Sequence, residues 1–240
     1  MKKNKLLILV IYLVLTVSLI STSTLAFLVD NGVIENIFTV DRITGELTAT
    51  SEGNEYKITD LDVTRNITIN KLTYIDLQKD VPFSNTDQTL INKLGVFVEV
   101  TLKNTSKINC RSHVKIEIPS GNEGILYLVC DSGTTDYASI LIDVMTSNSL
   151  TSSSSTDEIR QAINNYNHDY LKSLYENNIC GKDESKNLRI VFFGDYDALS
   201  ETDKDLKNEI YLTRSFKVIL NVRLIQNITE YGGEINYDND

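Results

Sequence analysis

The longest apolar stretch of the chain runs without a charge from Leu6 to Ile20 (LLILVIYLVLTVSLI), and every later apolar segment is shorter and interrupted. Lys2, Lys3 and Lys5 precede the run, and the small-residue segment STSTLA follows it, with Thr24 and Ala26 at the −3 and −1 positions of a cut before Phe27. A positive start, an apolar centre and small residues at the cut form the pattern of a secretory signal peptide. Residues 1–26 are therefore read as a signal peptide and 27–240 as one mature domain. Extended through Leu25 to Leu28, the run approaches the roughly 20 residues of a bilayer span, so an uncleaved anchor is the alternative.

Beyond the signal the pattern is mainly that of strands. Residues Ile67 to Leu77 (ITINKLTYIDL) are rich in β-branched and aromatic types, and in Gly95 to Leu102 (GVFVEVTL) the residues Val96, Val98, Val100 and Leu102 alternate onto one face. After the polar break KNTSKIN, CRSHVKIEIP alternates again, with Val114, Ile116 and Ile118 on one side and His113, Lys115 and Glu117 on the other. The two segments make a hairpin or a facing pair with one wet side, closed by Pro119. Ile125–Cys130, Ala138–Met145, LRIVFFG and SFKVILNVRLIQ are further strand candidates.

A Ser/Thr-rich stretch, TSNSLTSSSST at 146–156, reads as an exposed loop. Ser155 or Thr156 caps a helix with Asp157 and Glu158 in its first turn, and Ile159, Ala162, Ile163, Tyr166, Tyr170 and Leu174 recur at helical spacing up to about Asn177. SETDKDLKNE is a charged connection or short helix. About eight strands and one helix, inserted with its loop at about 146–181, predict an all-β, antiparallel β-sandwich rather than βαβ units.

The 240 residues carry 23 Lys plus Arg against 33 Asp plus Glu, with 2 His, 3 Cys and no Trp. Without the three lysines of the signal, 20 basic groups face 33 acidic ones, a net charge of −13. Such a surface repels phosphate backbones and anionic lipid, so neither nucleic acid nor a membrane is an expected partner, apart from the signal segment before cleavage. No Cys follows the apolar run to take a lipid, and the last residues, EYGGEINYDND, lack an LPxTG-type motif; anchoring by either route is not expected.

Beside the predicted cut stands TLAFLVDNGVIENIFTVDRITGELTAT. Ala26, Phe27 and Asp30 match an A-[FY]-x-x-D stretch, and Asn36, Phe38 and Thr39 match N-x-F-[TS], with Asp41 where a glycine is usual. Farther on, Lys103, Asn104, Thr105 and Ser106 occupy a K-N-T-G-like turn, and Ile116, Ile118 and Pro119 close an I-x-I-P strand. In this order, beside an export signal, these residues resemble the TasA and camelysin family of exported proteins. The resemblance covers about the first half of the chain. It implies processing by a SipW-type signal peptidase and a secreted jelly-roll β-sandwich of a Gram-positive bacterium, serving the extracellular matrix or cell surface, with biofilm fibres as the best-known role. Self-association, or binding to other matrix or surface proteins, is then the expected partnership. Val33 to Thr39 (VIENIFT), with Val33, Ile34, Ile37 and Phe38 as its apolar residues, is the candidate donor strand for pairing with a neighbour's sheet edge; the alternative is a first strand of its own sheet.

Camelysin-like proteins have been classed as metallopeptidases, which makes a secreted peptidase the alternative function and a cell-surface binding module a further one. His113 and His168 stand far apart in sequence and outside any H-E-x-x-H motif; each is read as a solvated surface histidine. Asp195, Asp197 and Glu201 offer oxygen ligands for calcium but lack the EF-hand spacing, so a solvated acidic loop is expected, and Asp203, Asp205 and Glu209 read as a charged face. No catalytic residue, metal or cofactor is expected. Cys110, Cys130 and Cys180 all follow the cut, and the odd number leaves one thiol unpaired or bridging subunits; a Cys110–Cys130 bond and independent buried thiols are both open.

Overall fold

The computed structural model describes residues 45–51, 54–58, 62–77, 91–94, 96–122, 124–206, 210–211, 214–229 and 236–238, all of which fall in the compact unit Ile43–Asp240. The signal segment, the cleavage residues Ala26 and Phe27, the motif residues Asp30, Asn36, Phe38 and Thr39, and the donor-strand residues Val33, Ile34 and Ile37 lie outside the described residues.

Alternation sets the strands where it is strong. In β5 (Phe97–Asn104) the buried positions are Val98, Val100, Leu102 and Asn104, and in β10 (Ser215–Gln226) they are Phe216, Val218, Leu220, Val222 and Leu224. The chain continues the order β1 (Gly45–Ser51), β2 (Asn54–Ile58), β3 (Asp62–Asn70), β4 (Tyr74–Ile75), β5, β6 (Cys110–Glu117), β7 (Ile125–Asp131), α1 (Tyr137–Ser147), α2 (Thr156–Asn177), β8 (Ile179–Cys180), β9 (Ser185–Asp195), a 3-10 turn (Tyr196–Ala198), α3 (Glu201–Asp205) and β10. The fold is β-rich. One sheet has the order β2-β1-β5-β9-β4, with β7 on the other side of β9, and the second has the order β3-β10-β6-β8. Among the described residues all pairings are antiparallel except β4 with β9. β5 and β6 belong to different sheets, so the two segments around KNTSKIN face one another rather than pair.

One hydrophobic cluster is shared by the two sheets, with Val98, Val100, Leu102, Leu188, Ile190 and Phe192 from the first and Ile67, Ile69, Val114, Val218, Leu220 and Val222 from the second. A second cluster covers the other face of the first sheet, where Leu126, Leu128, Cys130, Val191 and Phe193 meet Leu141, Val144 and Met145 of α1 and Ile159, Ala162 and Ile163 of α2. Both faces of β9 are therefore buried, which explains its unbroken apolar run.

Three expectations are corrected. Ala138–Met145 is not a strand but most of α1: its buried residues, Tyr137, Ala138, Leu141, Val144 and Met145, recur at helical spacing, and the Asp136 side chain caps it by accepting from the Ser139 N–H. Among the described residues the fold thus carries two substantial helices, α1 and α2, where one was read. The segment Ile67–Leu77 is not continuous, because Lys71 turns with φ 56° between β3 and β4. α2 begins as read: Ser155 Oγ accepts from the Glu158 N–H and Glu158 returns a bond to the Ser155 N–H, 2.8 Å.

Candidate functional site

Among the described residues the flanks of the two sheets are satisfied unequally, by Asn167 of α2 at β7 and by Tyr237 at β6. β7 ends the first sheet among the described residues, and an end strand presents unpaired N–H and C=O groups. Asn167 of α2, 1% exposed, satisfies two of them, accepting from the Val129 N–H (2.9 Å) and donating to the Tyr127 carbonyl (2.8 Å). On the second sheet, the Tyr237 hydroxyl donates to the Val114 carbonyl on the outer side of β6 (2.7 Å). His113 donates from Nε2 to the Tyr237 carbonyl (3.0 Å), the carbonyl being able only to accept, and stacks edge-on to Tyr175 of α2.

His113 was expected on a wet face; it is buried, 3% exposed. The fold also brings the two histidines to one tyrosine, with the ring of His113 4.8 Å and that of His168 5.6 Å from Tyr237. His168 remains partly exposed and bonds Asp238 (2.8 Å). That bond, with the bond to Asp169, raises the imidazole pKa above its ordinary value. The attraction is present below the unfolded pKa and is lost as pH rises through the folded one. Arg111, also buried, fastens the start of β6 through Asn227 and the carbonyls of Tyr175 and Glu176.

At the other end of the second sheet β3 pairs, among the described residues, with β10 alone. Thr64, Asn66 and Thr68 are exposed while Ile67 and Ile69 are buried. The direction of the β3 backbone follows from its partner. Lys217, opposite Thr68, donates its N–H to Asn122 Oδ1 on the far side of β10 (3.2 Å). Lys217 and Thr68 therefore form one of the antiparallel pairs whose N–H and C=O groups point away from each other. By the same alternation the backbone groups of Thr64, Asn66 and Thr68 point out of the sheet, so the outer edge of β3 presents a row of donors and acceptors.

The acidic candidates serve the fold. Asp195, 1% exposed, is ion-paired to Arg160 of α2 and accepts from the Asp197 N–H (2.9 Å), while its carbonyl accepts from Tyr211 (2.5 Å). Gly194 permits that approach, since a Cβ there would lie 2.5 Å from the Tyr211 ring. Burial, and then the charges of Asp76 and Asp195, raise the Asp197 carboxyl above its ordinary range, against the Leu77 N–H and Lys204. An acid whose folded pKa is raised costs stability as pH rises through the window between its unfolded and folded values. Asp197→Asn is therefore expected to raise the urea midpoint at pH 7 and to leave it unchanged at a pH below the unfolded value, as urea titrations at the two pH values would read. Glu201 begins α3, whose Ser200 cap accepts from the Asp203 N–H; Glu209 lies outside the described residues.

In the structure Cys110, Cys130 and Cys180 are buried, reduced thiols, and a Cys110–Cys130 bond, one of the two open readings, is not formed. The two residues belong to different sheets, and Cys130 faces the cluster under α1. Burial pushes both thiols up to about 11, which leaves little thiolate for nucleophilic chemistry. Among the described residues no group of three or more His, Cys, Asp and Glu is placed to hold a metal ion, and no helix is long and apolar enough to cross a membrane. The turn Lys103–Ser106 is built by Asn104, buried, whose Oδ1 accepts from Ser106 N and Oγ and whose Nδ2 donates to Ile108 and Cys180 carbonyls. No family model, curated protein or solved structure matches the chain.

Proposed function

We propose that the protein is an exported structural component of the cell surface or extracellular matrix, a jelly-roll-like β-sandwich that assembles by strand addition at the outer edge of β3. The observation that carries this reading is the unequal treatment of the flanks. Asn167 and Tyr237 satisfy the backbone of β7 and β6, whereas the edge of β3 carries outward backbone groups beside exposed Thr64, Asn66 and Thr68. Such an edge is a template for another strand. The segment Phe27–Thr39 has the composition to supply that strand once a peptidase has cut after Ala26.

The TasA-like motifs support the same reading from the residues alone. The exported chain is predicted to begin at Phe27 and, at micromolar concentration, to form fibres visible by electron microscopy. Deletion of residues 27–39 is expected to leave only particles of monomer size. Fibres from the deleted chain would overturn the donor assignment, and chelator-sensitive clearing of casein by the pure protein would overturn the structural reading in favour of a peptidase.

A further inference from the structure

We propose that Cys110 and Cys180 form a disulfide that joins β6 to β8, with Cys130 remaining a reduced thiol. The two residues are direct partners in the antiparallel pairing of these strands. Directly opposed residues in such a pair hold their Cα atoms about 4.5–5.5 Å apart with both side chains on one face, inside the 4.4–6.8 Å range that a disulfide spans. Both side chains are fully buried.

The register is held from several sides, so the proximity does not rest on the two-residue strand alone. Asn104 Nδ2 donates to the Cys180 carbonyl (2.9 Å) and the Asn104 backbone exchanges bonds with Asp183 and Glu184 (2.7 and 3.0 Å). Glu184 also accepts from the Gly181 N–H (2.8 Å). Reduced, the thiols make long contacts, Cys180 with the Glu184 carbonyl (3.2 Å) and Cys110 with the Ile108 carbonyl (3.6 Å) and the Ser106 hydroxyl (3.8 Å). Cys130 has no cysteine opposite it: it lies in the other sheet, paired with Arg189, and its thiol contacts the Arg189 carbonyl (3.7 Å).

Burial raises both thiols of the pair, Cys110 to about 11. Oxidation therefore belongs to the folding chain, before the strands close over the sulfurs. The oxidant is a disulfide of a small thiol or of a thiol oxidase. One cysteine thiolate attacks a sulfur of that disulfide and expels a thiolate; the second cysteine attacks the mixed disulfide and expels the other. The protein loses two protons and two electrons, and the oxidant's two sulfurs take them up as two thiols. That an oxidant is met in the cell rests on the exported reading; the pairing itself does not.

The full chain, refolded with a mixture of oxidised and reduced glutathione, tests the pairing without reference to export. Unfolded afterwards and titrated with a thiol reagent, it is expected to show one free thiol of the three, with Cys110 and Cys180 in one linked peptide by mass spectrometry. Closing a loop of about 70 residues raises the thermal midpoint over the reduced protein by roughly 10 °C. Cys130→Ser keeps that shift, whereas Cys180→Ser abolishes it. Three free thiols after oxidative refolding, or a bond involving Cys130, would overturn the assignment on wild-type protein alone. Failure of export would show separately, as retention of the chain in cells.

Discussion

Arg160→Met is expected to lower the stability of the fold by about 3 kcal/mol, because it strands the Asp195 carboxylate in the interior without its cation. Asp195 is 1% exposed at the end of β9, and Arg160 reaches it from the first half of α2. The other carboxylate on Arg160 makes a control. Asp157 lies 2.7 Å from the same guanidinium but is 88% exposed, and exposed pairs contribute about 0–1 kcal/mol. Asp157→Ala should therefore move the urea midpoint little. Replacing both partners of the buried pair, as Arg160→Met with Asp195→Leu, should recover part of the loss, since no uncompensated charge remains. Equal losses for Arg160→Met and Asp157→Ala, read from urea denaturation, would show that the buried pair does not hold α2 to β9.

Asn167→Ala is expected to cost a comparable amount, about 2–4 kcal/mol, for a different reason. The side-chain bonds are individually modest, but their removal leaves the Val129 N–H and the Tyr127 carbonyl without partners beneath a helix. The effect has a local signature. The Val129 amide, protected by Asn167 in the wild type, should lose that protection in hydrogen exchange ahead of the β9 amides that bond within the sheet. A variant that loses stability while Val129 stays protected would mean that water or another group replaces the asparagine, and that α2 closes this flank by apolar packing alone.

The two variants separate what periodicity reveals from what it hides. β10 was legible residue for residue, because twelve alternating positions leave one solution. The capping box of α2 was equally plain, being a local arrangement of Ser155 and Glu158. α1 was misread because ASILIDVM is rich in β-branched residues, and only its packing on Leu126 and Phe193 selects the helical face. β1 (GELTATS) and β2 (NEYKI) carry too few apolar residues to alternate visibly; their pairing with each other and with β5 makes them strands.

The polar residues that organise the flanks were hidden for a related reason. Asn167 is one asparagine among several in NNYNH, and nothing local distinguishes it from its exposed neighbours; its partners lie 38 and 40 residues away. The burial of His113 depends on Tyr237, 124 residues on. Cys180 sits in a strand of two residues, too short for any pattern, so its place opposite Cys110 was invisible, and only a bond to Cys130 could be weighed against independent thiols.

Assembly through the outer edge of β3 is tested most directly by one substitution. The Thr68 N–H points away from β10, so Thr68→Pro removes an outward donor and crowds an incoming strand while leaving the β3–β10 ladder intact. Electron microscopy of the purified mature chain should show fibres for the wild type and none for Thr68→Pro, with the variant's circular dichroism and urea midpoint close to those of the wild type. Fibres from Thr68→Pro at the wild-type yield would contradict assembly through this edge.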